Sequence, residues 1–194
     1  MKKECKIIKF SSTGYHNYNV SRILYVDREK NPKFKYYEYI EFEKNIKENV
    51  AICVGLNPAA AEEDLDTTNK RLIKLLRRDY KGYYLLNLYP EITDNKTQID
   101  YANNENIVFV NFLGDFLQEP DKSKLDVILF FGRTVILNQE QIDIINSLLS
   151  DSSRHVYITT HNGEFTHPGS NGDIKKQPMK KEYFQSNICI RINQ

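Results

Sequence analysis

A chain of 194 residues, 40% hydrophobic and 27% charged, has the composition of one globular domain with a core of ordinary size, not that of a disordered segment. Its formal net charge of +1 excludes a globally basic nucleic-acid binder, so any phosphate-facing surface has to be local. Cys5, Cys53 and Cys189 are too few and too widely spaced for a disulfide framework or a zinc motif. The N-terminus has no signal-peptide pattern and no apolar run approaches membrane-spanning length, so the expected setting is the cytoplasm, without a membrane or an obligatory protein partner.

Residues 1–49 are polar with strand-like patches at Lys6–Phe10 and Arg22–Val26, and Asn31-Pro32 marks a turn. The stretch from Tyr36 to Asn49 mixes aromatics with glutamates and reads as a hairpin arm or solvated edge, or as a layer covering a sheet. Val50-Ala51-Ile52-Cys53-Val54 then reads as a short strand buried on both faces, as in a parallel sheet. Gly55 and Pro58 stop it sharply and leave Asn57 at its carboxyl end, where open α/β sheets hold their ligands. A plain turn with an Asn cap is the structural alternative.

Residues Asp66 to Lys81 have helical spacing, with Leu72, Ile73, Leu75 and Leu76 as the apolar stripe. Lys70, Lys74, Arg77, Arg78 and Lys81 fall on another face, which is either solvated or turned toward phosphates. Three further apolar runs, Tyr83–Pro90, Val127–Gly132 and His155–His161, alternate with helical stretches near Asn104–Gln118 and Thr134–Leu149. That alternation predicts an α/β fold with a parallel sheet covered by helices. Right-handed crossovers bring Asn57, Asn87, Gly132 and the segment after His161 to one edge of it. The segment His161–Asp173, rich in Gly, Asn and Pro, reads as an irregular functional loop carrying His161 and His167.

The glycines around Asn57 form neither a dinucleotide fingerprint nor a P-loop, and no serine sits in a nucleophile elbow. The spacing of His161, His167 and the carboxylates does not support a metal site, and no cofactor is expected. What remains is a cleft of amides, histidine and backbone donors. Such a set can position a water and stabilise a leaving anion, and an asparagine amide suits the edge of a nucleobase.

Gly55-Leu56-Asn57-Pro58, Leu85-Leu86-Asn87-Leu88, Phe131-Gly132 and His167-Pro168-Gly169-Ser170 resemble, in order, the four strand-end motifs of the uracil-DNA glycosylase superfamily. The pattern Val20-Ser21-Arg22, Leu56-Asn57-Pro58, Asp66-Thr67-Thr68 with Arg71, Asn87-Leu88-Tyr89 and His167-Pro168 is similar to a bacterial and phage family of unknown function within reach of that fold. The resemblance implies one domain over residues 1–194, with 1–49 a strand-rich extension of it. The implied architecture is three layers, α/β/α, around a mainly parallel four-stranded sheet.

The resemblance also implies a metal-independent DNA glycosylase in which Asn57 holds the attacking water, Asn87 reads a flipped base and His167 stabilises the departing base as an anion. Gly55, Leu56, Pro58, Ala59, Pro168, Gly169 and Ser170 would line the substrate pocket. Lys70, Arg71, Lys74, Arg77, Arg78 and Asn171 would contact DNA. Ala59 stands where classical uracil enzymes carry a tyrosine against the pyrimidine C5, which implies a C5-modified pyrimidine, such as hydroxymethylated or glucosylated cytosine, beside uracil. Phage DNA is then the implied partner, in antiviral defence or in repair. The competing expectation is a non-catalytic nucleic-acid or nucleotide-binding module, and a third is a hydrolase of free nucleotides.

Overall fold

The computed structural model describes residues 4–11, 19–27, 33–42, 47–58, 65–93, 99–100, 103–132, 134–169, 173–179, 181, 184 and 189–192. In chain order the strands are β1 (Glu4–Ser11), β2 (Asn19–Asp27), β3 (Phe34–Phe42), β4 (Val50–Gly55), β5 (Gly82–Asn87), β6 (Asp126–Leu129), β7 (Thr134–Leu137), β8 (Val156–His161), β9 (Glu164–Phe165), β10 (Lys175–Pro178) and β11 (Cys189–Ile192). The helices are α1 (Thr67–Leu76), α2 (Asn104–Gln118) and α3 (Gln139–Ser150).

Because β4 carries apolar residues at successive positions, it can be covered on both faces and takes the centre. It pairs in parallel with β5 on one side and β6 on the other, and β6 pairs in parallel with β8. Ala51 and Cys53 pack with Leu72, Ile73 and Leu76 of α1, while Ile52 and Val54 pack with Phe109, Leu113 and Phe116 of α2 and with Ile145 and Leu148 of α3. Period-two alternation along one strand thus feeds two separate cores, one on each face.

The sheet is larger and more mixed than the expected four strands. Among the described residues it has nine, ordered β1-β2-β3-β5-β4-β6-β8-β10, with β9 paired to β8. β1, β2 and β3 form an antiparallel meander docked on β5, and β10 runs antiparallel to β8. The stretch beginning at Tyr36, expected as an arm or a cover, is in its first half the interior strand β3. Phe34, Tyr36, Glu38, Ile40 and Phe42 alternate into the protein, and Glu38 is carried inward with them.

Three other expectations are corrected. Helix α1 ends at Leu76, whose carbonyl takes both the Asp79 and the Tyr80 amide, so Lys81 already leads into β5. The predicted helix at Thr134–Leu149 splits: the β-branched run Thr134-Val135-Ile136 enters β7, parallel to β11, and α3 starts only after Asn138. There Asn138 and Gln141 form a capping box. The segment after His161 begins as a hairpin, because Asn162 (φ 52°) and Gly163 (φ 83°) make a two-residue turn into β9. Among the described residues no helix is long and apolar enough to cross a membrane.

Candidate functional site

The carboxyl ends of the parallel strands are laced together by their backbones. Leu88 N–H donates to the Gly55 carbonyl and Tyr89 N–H to that of Leu56, each at 2.9 Å, and Phe130 N–H donates to the Val54 carbonyl at 2.9 Å. Three predicted motifs therefore form one surface, with Gly55 at its centre.

Gly55 is there because nothing larger fits. A Cβ at this position would lie 2.6 Å from Asn87 Oδ1 and 2.6 Å from the Phe130 ring. Asn87 is only 4% exposed, yet its amide makes no hydrogen bond with the described residues. An amide this little exposed, with its donor and acceptor not taken by the described residues, is available to a ligand at the strand ends, which makes Asn87 the most informative polar group here. Phe130 in turn meets the His167 ring, centroid to centroid at 5.6 Å. Gly55, Asn87, Phe130 and His167 thus form one contiguous cluster. Gly55→Ala should cost about 1–3 kcal/mol of stability through overpacking. It should also displace the Asn87 amide, so ligand binding by the variant should fall even at temperatures where calorimetry finds it folded.

His167 is oriented by its own turn. Gly169 N–H donates to His167 Nδ1 at 2.9 Å, so the proton of the neutral ring sits on Nε2. From α1, Arg71 Nη1 donates to the Pro168 carbonyl at 2.6 Å, and a Cβ on Gly169 would lie 3.7 Å from Thr68 Oγ1. The first turn of α1 is the floor of this turn. Asp66 caps the helix through Asn69 N–H at 2.7 Å. Asn69 donates from Nδ2 to Glu38 Oε1 at 2.8 Å and accepts from the Tyr83 hydroxyl at 2.7 Å, both inside the protein.

Asn57 is half-buried beside this cluster. Its Nδ2 donates to the Thr93 carbonyl at 2.6 Å and lies 3.4 Å from that of Pro58. Two carbonyl acceptors on one side of the amide fix its orientation, and Oδ1 is left as the acceptor. No hydrogen bond among the described residues joins Asn57 to Asn87 or to His167.

The basic face of α1 divides. Lys70, Lys74 and Arg78 are exposed, Arg77 is half-buried at the helix C-cap, and Arg71 is half-buried and tied to Pro168. Lys74 lies 4.0 Å from Asp173, a solvated pair of little energetic weight. His161 stands apart from the cluster: its Nδ1–H faces the Asp173 carbonyl at 2.9 Å and its Nε2 faces the Asn162 amide at 3.2 Å. No group of three or more His, Cys, Asp and Glu among the described residues could hold a metal ion. Ala59, Ser170 and Asn171 lie outside the described residues. Sequence reasoning missed Phe130 and Asn69, and named Thr68 in a motif without giving it a role; Phe130 looks like core in an apolar run, and its place just before Gly132 at a strand end was the available signal.

The chain belongs to a family described as "Protein of unknown function (DUF1643)", whose model matches residues 39–169. The match runs from β3 to the His167-Pro168-Gly169 turn, so it contains every cluster residue, while Val20-Ser21-Arg22 falls before it. No curated protein matches the chain. Among solved structures it is similar to an acetyl xylan esterase from Paenibacillus sp. R4, at 7% identity over 72% of this chain and 48% of that one, with a TM-score of 0.38. The chain spans about half the length of that enzyme, and a likeness so small carries no argument about either fold or activity.

Proposed function

We propose that this member of the DUF1643 family is a metal-independent DNA glycosylase that hydrolyses the N-glycosidic bond of a flipped pyrimidine and leaves an abasic site. The observation that carries the reading is the Asn87 side chain, 4% exposed and without a hydrogen bond among the described residues, set against Gly55, Phe130 and His167. An amide with both a donor and an acceptor matches the Watson–Crick edge of a base taken out of its stack. His167, with Nδ1 occupied by Gly169, directs an N–H from Nε2 toward the charge that develops on the departing base. Asn57 Oδ1 accepts a hydrogen bond from the attacking water and orients it, and the proton that the water gives up on adding to the sugar carbon passes to solvent. Leu56, Pro58, Pro168 and Gly169 complete the pocket rim, and Lys70, Lys74, Arg77 and Arg78 follow the phosphates. The resemblance to uracil-DNA glycosylases supports the same roles, and alanine at position 59 favours a pyrimidine modified at C5.

The test is a panel of duplexes, each with a single uracil, cytosine, hydroxymethylcytosine or glucosylated hydroxymethylcytosine, incubated with excess protein and assayed for abasic sites. Release from the C5-modified duplexes is expected to exceed release from the others. Binding to the duplexes without release from any of them would establish the non-catalytic module instead. Release from free nucleotides alone would make the protein a nucleotide hydrolase.

A further inference from the structure

We propose that Arg71 is a positioning residue that sets His167 through the Pro168 carbonyl, and not one of the phosphate contacts of α1. The inference rests on the reading of His167 given above. Its basis is a chain of contacts running from the sheet to the imidazole. Asn69 bonds to Glu38 of β3 and to Tyr83 of β5 inside the protein, which fixes the first turn of α1 against two strands. Two residues later, Arg71 reaches across 97 positions of sequence to the Pro168 carbonyl at 2.6 Å. Pro168 lies between His167 and the Gly169 amide that holds His167 Nδ1 at 2.9 Å. Moving the Pro168 carbonyl therefore moves both the ring and the group that selects its tautomer.

Burial and a backbone-carbonyl acceptor mark Arg71 out on this helix. Lys70, Lys74 and Arg78 are exposed, whereas Arg71 is half-buried with its guanidinium on a backbone carbonyl. A charged donor on a carbonyl is a stronger hydrogen bond than a neutral pair, and the rigid guanidinium fork holds its acceptor in one direction. A lysine could reach the same carbonyl but would hold it less tightly.

The experiment uses the full chain labelled with 15N-histidine and two readouts. Long-range 1H–15N spectra report which nitrogen of His167 carries the proton, with His161 as the internal reference. Single-turnover and steady-state release from the duplex that the wild type cleaves fastest reports catalysis. Wild-type His167 is expected as the Nε2–H tautomer in alkaline buffer. Arg71→Met should mix the two tautomers and lower kcat on the order of 10²-fold, the scale of a misplaced catalytic group, with KM nearly unchanged. Arg71→Lys should recover part of both effects. If Arg71→Met does not fold, Arg71→Gln is read by the same measures. An unchanged His167 tautomer overturns the proposal, and so does a loss confined to KM that steepens with salt, which would make Arg71 a phosphate contact. A tautomer shift in a protein whose wild type releases no base would keep the clasp and discard the glycosylase.

Discussion

Replacing His167 by alanine is expected to slow base release on the order of 10²–10³-fold, the usual loss for one transition-state donor in a water-poor site. The ring is half-buried and meets Phe130 at a tilt of 54°, outside the apolar clusters, so its removal takes little from the core and the variant should unfold near the wild-type temperature. Asn57→Ala should lose a similar factor, because the amide that aims Oδ1 is itself held by Thr93. Asn57→Asp is the more discriminating change. Here an aspartate would set an oxygen 2.6 Å from the Thr93 carbonyl, where the asparagine puts an N–H. Two acceptors at that distance repel, so Asn57→Asp should be no more active than Asn57→Ala. Single-turnover release from one modified duplex, with differential scanning calorimetry of each variant, gives all three values. Near-wild-type release by His167→Ala removes the histidine from the mechanism. An Asn57→Asp variant faster than wild type would mean that the amide is not oriented by Thr93 as the distances require.

The parts legible in the sequence are those with local causes. β4 shows as an apolar run closed by Gly55, α2 shows as helical spacing over the residues it occupies, and the strand-end positions of Asn57 and Asn87 follow from the βα alternation. The Asn162-Gly163 pair was a local hairpin signal that the wealth of polar residues around it hid. β3 was obscured for a different reason. Its inward positions include Glu38, and Lys35 is buried beside it, so a strand inside the sheet has the charge pattern of a surface. Tertiary partners, Asn69 from α1 with Tyr83 beyond it, help to make the Glu38 carboxylate tolerable in the interior. Arg71 shows the same limit at the site. Spacing of three and four places it on the basic face of a helix, but its partner lies 97 residues away, and no local pattern encodes that.

The buried pair behind the site carries the second large effect. Glu38 is 0% exposed and Lys35 2%, with Nζ 4.0 Å from Glu38 Oε1, the same oxygen that accepts from Asn69. Glu38→Leu would leave the Lys35 ammonium inside the protein without its counter-charge and the Asn69 amide without its acceptor. Losing one partner of a buried pair costs about 3–5 kcal/mol, far more than the pair contributes relative to two apolar side chains. Urea unfolding should therefore show Glu38→Leu destabilised by about that amount. The double change Lys35→Met/Glu38→Leu should recover most of the loss, because it removes the stranded charge and leaves apolar groups of similar volume. Additive losses in the double variant would show that Lys35 is not held by Glu38. Lys35 does not touch Asn69 in any described contact, so the recovery in stability should be incomplete in function. The Asn69 amide stays without its acceptor in the double variant, the first turn of α1 is less firmly placed, and Arg71 holds Pro168 from a looser base. A stable double variant with slowed base release is the expected combination, and full recovery of both would separate the interior network from the His167 turn.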